Sequence, residues 1–381
     1  MKVTNCTIGD VCEVFDGPHA TPSPSDEGPV YLGIPSILDD GSIDYENSKR
    51  ISWEEFPKWA KRVTPQPGDV VFSYEANLDT YAIIPEGFVG CLGRRMAIMR
   101  PNKDKILSRY LYYYMLSPQW KAVIASKTVL GATVNRIPIA TYPDFPIAIP
   151  DLETQQRIAG ALSAYDELIE NNRKQIKLLE EAAQRLYKEW FVDLKFPGHE
   201  TTPIHNGLPE GWKRCHLRDV LEINGGKDYK QLKSGTYPVY GSGGLMCRVD
   251  SFLYEGESVL IPRKGTLNNV MYRNEAFWTV DTLFYTRVLL KNGGKYLFHA
   301  VRAFDFASMN IGAAVPSMTK TKLDGLVLTI PTELFLERFE RAVAPFYQAM
   351  TVLQQQIAAA REARDRLLPK LMSGETAGCG R

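Results

Sequence analysis

The sequence has no apolar run of about 18 residues or more, the length a helix needs to cross a bilayer, and its opening MKVTNCTIGD has no apolar core behind Lys2. No membrane span and no leader are expected, and a cytoplasmic protein is. Cys6, Cys12, Cys91, Cys215, Cys247 and Cys379 lie without a CxxC pair, and no two of His19, His199, His205, His216 and His299 have zinc-ligand spacing. That pattern predicts free thiols in a reducing compartment and no metal site. An excess of one charge is also missing, since 45 basic and 44 acidic residues leave +1. Net charge therefore gives no support of its own to a polyanionic partner. Only residues 201–330, at +5, lean basic; 1–150 sum to −2, 151–200 to −3 and 331–381 to +1.

Catalytic signatures are missing too. A Gly-rich cofactor loop paired with Asn/Asp-Pro-Pro-aromatic, as adenine methylation would need, does not occur, nor does the GxxxxGK[ST] phosphate loop of an ATP-driven motor. Asp228 beside Lys227 and Lys230 is read as ordinary loop chemistry rather than a nuclease centre, and no histidine has a nucleophile in its context. The expectation is a non-catalytic protein without a cofactor.

What is present is order and repetition. Hydrophobic residues make up 44%, aromatics 11% and charged residues 23% of 381 residues, which predicts globular protein with more than one core. The chain is written twice. Ile149-Pro150 leads through Asp151-Leu152-Glu153 to Arg157-Ile158, and Ile330-Pro331 leads through Thr332-Glu333-Leu334 to Arg338-Phe339, an offset of 181. The same offset carries Arg185-Leu186 onto Arg366-Leu367 and Gly131-Ala132-Thr133-Val134 onto Gly312-Ala313-Ala314-Val315. Farther upstream, Ile8-Gly9-Asp10-Val11 matches Leu217-Arg218-Asp219-Val220 at 209, so the second globular segment is 28 residues shorter. Divergent globular parts on matching helices suit two readers of different ligands on one frame.

Each copy ends in heptad spacing. The first seam is Ile158, Leu162, Tyr165, Ile169, Asn172, Ile176, Leu179, Ala183, Leu186 and Trp190; the second is Phe339, Val343, Phe346, Met350, Leu353, Ile357, Ala360, Arg364, Leu367 and Leu371. Two such seams bury each other most simply as an intramolecular coiled coil, antiparallel if a two-fold relates the copies. Asn172 either fixes register at a core position or faces solvent on a frayed seam, and Pro345 should kink the second helix. The fold class is α+β: two β-rich mixed domains separated by two long helices, with an internal pseudo-two-fold repeat. Residues 1–150 form the first domain, 151–195 the first helix, 196–211 a linker, 212–330 the second domain, 331–374 the second helix and 375–381 a flexible tail. Val70-Val71-Phe72, Val259-Leu260-Ile261 and Leu283-Phe284-Tyr285 read as strands, and Arg109–Trp120 as a short helix whose four tyrosines belong to the core.

Several stretches resemble the specificity subunits of Type I restriction–modification enzymes. Glu153-Thr154-Gln155-Gln156-Arg157-Ile158 through Trp190-Phe191 to Phe196-Pro197-Gly198-His199-Glu200 is similar to the family's central region, and Gly207-Leu208-Pro209-Glu210-Gly211-Trp212 to the lead into its second target-recognition domain. Tyr237–Gly244, Arg263–Asn269, Phe277–Leu283 and the closing Leu367–Gly374 are similar as well. The resemblance covers nearly the whole chain and is weakest in the first domain. It implies two target-recognition domains that grip the halves of a split double-stranded DNA site. It also implies helices that act as a ruler and dock two methyltransferase subunits, with restriction/translocase subunits joining them. The adenine-N6 methylation and ATP-dependent cleavage belong to those partners.

DNA contacts need cations for phosphates and forked side chains for base edges. Arg263, Lys264, Thr266, Asn268 and Asn269 supply both beside Gly265; Tyr240 and Ser242 lie in a second flexible turn, and Lys320 and Lys322 are placed to hold phosphate. In the first domain Ser73, Tyr74 and Asn77 stand at the corresponding position, with Arg94, Arg95 and Arg136 as the cations. Two other readings predict different behaviour: a free-standing DNA methyltransferase or nuclease, and a coiled-coil protein-interaction scaffold without DNA binding.

Overall fold

The computed structural model describes residues 1–38, 40–131, 134–309 and 316–375. Ala132-Thr133, the repeat partner Gly312–Val315, Cys379 and the tail from 376 on lie outside the described residues. The chain divides into two compact units, Met1–Asn172 with Gln355–Arg381, and Arg173–Gln354. The division therefore falls inside the two long helices, Leu152–Tyr187 and Glu333–Ser373, rather than at their ends.

In the first unit the helices pair antiparallel. Asn172 Nδ2 donates to Gln356 Oε1 at 3.0 Å, while six residues earlier Asp166 accepts from Arg364 Nη1, eight residues later, at 2.6 Å. Beyond that, Ile158, Ala159 and Leu162 share a core with Leu367, Leu371 and Met372. Ile169 is buried as well. In the second unit Phe339 packs against Tyr187, Trp190 and Phe191, with Ala183 and Val343 in the same core. Met350 and Ala360 are buried, whereas Ile176, Leu179, Leu186, Leu353, Ile357, Leu367 and Leu371 are only half-buried. That grading follows from a two-helix seam, which covers its a and d positions on one side only. The second helix runs unbroken through Pro345, so the proline costs a backbone donor without ending the helix.

Each unit has the same sheet plan. In the first, Cys12–Asp16, Met96–Pro101, Val70–Ser73 and Tyr81–Ile83 form an antiparallel sheet, and Ser25–Leu32 runs parallel to Gly90–Leu92. In the second, Leu221–Gly225, Leu283–Val288, Tyr254–Pro262 and Met271–Thr279 follow in the same order, with Ser234–Gly241 again parallel to its neighbour. A further strand, Gly244–Val249, has no counterpart among the described residues of the first unit.

The repeat reappears in the register. Thr7 pairs with Pro146 and His216 with Val327, partners displaced by the 209 and 181 residues read from the sequence. Residues expected as one short helix form two, Ser108–Met115 and Pro118–Lys127. Pro118 cannot continue the first, and Ser117 caps the second by accepting from Trp120 N at 3.3 Å. Tyr110, Tyr112, Tyr113 and Tyr114 are buried.

Candidate nucleic-acid interface

The loops at one end of each sheet are built on one hydrogen-bond frame. In the first unit Tyr74 N donates to Arg95 O, Ile137 N to Tyr74 O, and Ala76 N to Asn135 O, at 3.1, 2.8 and 3.1 Å. In the second, Arg263 N donates to Thr282 O, Met318 N to Arg263 O, and Gly265 N to Pro316 O, at 2.9, 2.8 and 3.0 Å. Tyr74 thus stands where Arg263 does, Arg95 where Thr282 does, and Ala76 where Gly265 does. Both Ala76 (φ 66°) and Gly265 (φ 84°) are left-handed, so the turn itself demands that conformation, at some strain for the alanine. Backbone bridges link Glu75 to Arg136 and Lys264 to Ser317 at matching places.

On this shared frame the charges are reversed. Glu75 accepts an ion pair from Arg95 Nε at 2.7 Å, whereas Lys264 Nζ reaches Asp281 at 3.6 Å. The loop acid Glu75 is matched by the loop base Lys264, while the partner shifts from Arg95, whose place Thr282 takes, to Asp281, one position earlier. The same backbone hydrogen bonds thus carry opposite charge at the matching residues Glu75 and Lys264.

The expected residues divide by exposure. Asn77, Arg94 and Arg136 are exposed in the first unit, as are Arg263, Thr266, Asn268, Lys320 and Lys322 in the second. Arg95, Ser242, Lys264 and Asn269 are half-buried. Ser73 and Tyr74 are buried, and Ser73 Oγ donates to Glu75 O at 2.8 Å, so in this conformation they shape the loop from beneath. Tyr240 is also buried; its hydroxyl donates to Glu275 at 2.7 Å under the Arg273 guanidinium, and burial pushes its phenol up to about 12. It supports the site rather than facing solvent.

In the second unit the turns are tied together. Asn269 Nδ2 donates to Ser242 O at 2.8 Å, and Ser242 N to Thr282 Oγ1 at 3.4 Å. Asn268 Oδ1 accepts from Ala307 N at 3.1 Å, and Lys322 Nζ donates to Met309 O at 2.5 Å. Arg263 lies over the Phe284 ring. Asn268 and Asn269 therefore spend part of their amide capacity on holding the loop.

Three further residues of this cluster have no DNA role in the sequence reading, which takes Lys227 as ordinary loop chemistry beside Asp228. Lys227, exposed, enters because its N–H donates to Thr279 O at 2.8 Å and its carbonyl accepts from Trp278 Nε1 at 2.9 Å. The signal was available: Gly17 and Gly226 align at the 209 offset, and both pack so tightly on the backbone of residues Gly93 and Val280 that no side chain fits. Leu245 and Met246, exposed at 57% and 52%, follow the Ser242–Gly244 turn.

Among the described residues no group of three or more His, Cys, Asp or Glu could hold a metal ion, and no helix is long and apolar enough to cross a membrane.

Comparison with known proteins bears on the whole chain. The family model described as the Type I restriction modification DNA specificity domain matches residues 2–181 and again 209–359. The MjaIX Type I restriction enzyme specificity subunit of Methanocaldococcus jannaschii is 25% identical over 409 residues, spanning 97% of this chain and 92% of that one. The HindI specificity subunit of Haemophilus influenzae is 25% identical over 211 residues, 51% of this chain and 42% of its own. The crystal structure of the Type-I restriction-modification system S subunit from M. genitalium matches with a TM-score of 0.58 at 16% identity, covering 97% and 96% of the two chains, a likeness of fold.

Proposed function

Because the chain belongs to the Type I restriction modification DNA specificity family, we propose that it reads a bipartite duplex DNA target and presents it to partner subunits. The observation that carries this reading is the loop frame repeated in both units with opposite charge at its matching loop residues, Glu75 paired with Arg95 and Lys264 with Asp281. Residues 1–150 read one half of the target and 212–330 the other. Arg94, Arg95, Arg136, Arg263, Lys264, Lys320 and Lys322 position phosphates, while Asn77, Thr266, Asn268 and Asn269 face base edges. The long helices scaffold two methyltransferase subunits and, through them, restriction/translocase subunits. Those partners carry S-adenosylmethionine and ATP chemistry; this chain carries neither.

Mapping methylated bases in a host genome that carries the intact system tests the reading directly. A two-part motif separated by unspecified bases is expected. Failure of the assembled complex to shift a duplex bearing the mapped motif, at low or moderate salt, would leave a protein-interaction scaffold instead. Binding of labelled S-adenosylmethionine by the isolated chain would favour a free-standing methyltransferase.

A further inference from the structure

Leu245 and Met246 stand more than half exposed at the end of a hairpin, Met246 with its sulfur over Gly241 and Leu245 the more open of the two. They follow the turn between strands Ser234–Gly241 and Gly244–Val249. Leu245 pairs with Tyr240 and Cys247 with Val239, so Met246 is the extra residue of a β-bulge. The bulge breaks the alternation that would have turned one of two successive side chains inward, and both remain more than half exposed. The turn itself is bare: Gly243 and Gly244 have no atom within 4 Å of where a side chain would begin, and Gly244 is at φ 115°. Yet the turn is not loose. Asn269 Nδ2 holds the Ser242 carbonyl at 2.8 Å, and Gly265 comes so close that its missing side chain would lie 2.9 Å from Ser242 Oγ. Arg263 and Lys264 directly precede Gly265, Lys264 in an ion pair with Asp281 at 3.6 Å, and Arg248, exposed on the same hairpin, donates to Thr236 O at 2.6 Å.

An aliphatic pair on a bare, fixed turn among cations matches the chemistry of a wedge that enters between stacked bases while the neighbouring cations hold the phosphates. We propose that Leu245 and Met246 are such a wedge, inserted into one base step of the half-site read by the second domain. The proposal rests on the DNA-reading function above. Its specificity follows from deformability: the step entered is one that unstacks cheaply, which selects sequence at a position without a base-edge hydrogen bond. A protein surface is the less favoured occupant, because lysine, here Lys264 next to Gly265, is depleted at protein interfaces, whereas cations of both kinds serve phosphates.

The test uses the full chain assembled with its methyltransferase subunits and duplexes that carry the mapped motif with 2-aminopurine at successive positions. Wild type should raise the fluorescence at the base taken out for methylation and, separately, at one step in the second half-site. The double variant L245A/M246A should lose only the second signal and about tenfold in specific affinity, with its salt dependence unchanged. Leu245→Lys, which keeps the exposure and adds a cation, should lose the same signal. If the second signal is missing from wild type or survives in both variants, the wedge is refuted. It is refuted equally if L245K binds more tightly with the motif unchanged, since the turn would then lie on phosphate, or if L245A/M246A no longer assembles with the methyltransferase, since the pair would then be a protein contact. Absence of any shift by wild type would instead overturn the DNA-reading function itself.

Discussion

His299 is kept neutral by its surroundings. It is buried on the helix Gly294–Arg302, stacks on Tyr187 with centroids 5.4 Å apart, and meets the Tyr347 hydroxyl at 3.1 Å through Nε2. Burial first, and Arg302 second, lower its pKa from 6.5 to about 3. Between those values the unfolded chain takes up a proton and the native chain does not, so stability is full above pH 6.5 and falls as pH drops toward 3. The slope approaches about 1.4 kcal/mol per pH unit for one proton. Urea midpoints measured from pH 7 to pH 4.5 should fall less steeply for His299→Phe than for wild type; parallel slopes would show that the imidazole is protonated in the fold. At the candidate interface, reversing Arg263 and Lys264 to Glu should weaken DNA binding of the assembled complex. Each lost phosphate contact should weaken binding about equally on all sequences and flatten the salt slope by about one. Lys264→Gln separates the effect of charge on DNA from repulsion of Asp281, its partner at 3.6 Å. Binding and motif both unchanged would reduce the loop to a turn.

At the scale of elements, the second prediction about stability concerns the polar groups on the helix seam. Asp166 accepts from both Arg364 and Tyr113, at 2.6 and 2.5 Å, joining both long helices to the first domain. Arg364→Met would leave Asp166 half-buried with the tyrosine alone. A loss of roughly 1–2 kcal/mol is expected, after allowing for water at an Asp side chain 32% exposed. A double-mutant cycle with Asp166→Ala should return coupling of similar size, and additivity would mean that the pair contributes nothing. Asn172→Leu should act in the other direction, raising the melting temperature while loosening register, since Gln356 loses its partner but the seam gains apolar area.

These elements also show what the sequence disclosed. Heptads and alternating strands were legible because burial on one face imposes a period on residue type, and the offsets of 181 and 209 return as strand register. The loops were less legible. Tyr74 and Tyr240 have the composition of contact residues but lie beneath the surface, because an aromatic ring with a hydroxyl serves a core and an interface equally well. The match of Ala76 to Gly265 is carried by backbone hydrogen bonds, which leave no mark on side-chain identity. Lys227 reads from sequence as ordinary loop chemistry beside Asp228, because its place in the cluster depends on Gly226 packing against Val280.

At the scale of the whole molecule, the repeat predicts separable reading. Exchanging residues 1–150 for those of a relative should alter one half of the methylated motif and preserve the other; a change in both halves would end that division of labour. A change in helix length should act on neither half. The boundary between the compact units falls within both long helices, at 172/173 and at 354/355, so the helices are the only covalent path from one unit to the other. One heptad added to each keeps the seam in phase, because core positions recur every seven residues. Each helix then grows by about 10 Å at 1.5 Å per residue, or about three base pairs of duplex rise. If the paired helices act as the ruler, methylation mapping should return the same half-site bases with a longer unspecified spacer. Inactivity alone would be uninformative about spacing, because the same helices carry the proposed docking surface, and a gel shift with spacer-variant duplexes supplies the readout in that case. An active lengthened protein that keeps the original motif and spacing would reduce the helices to assembly struts.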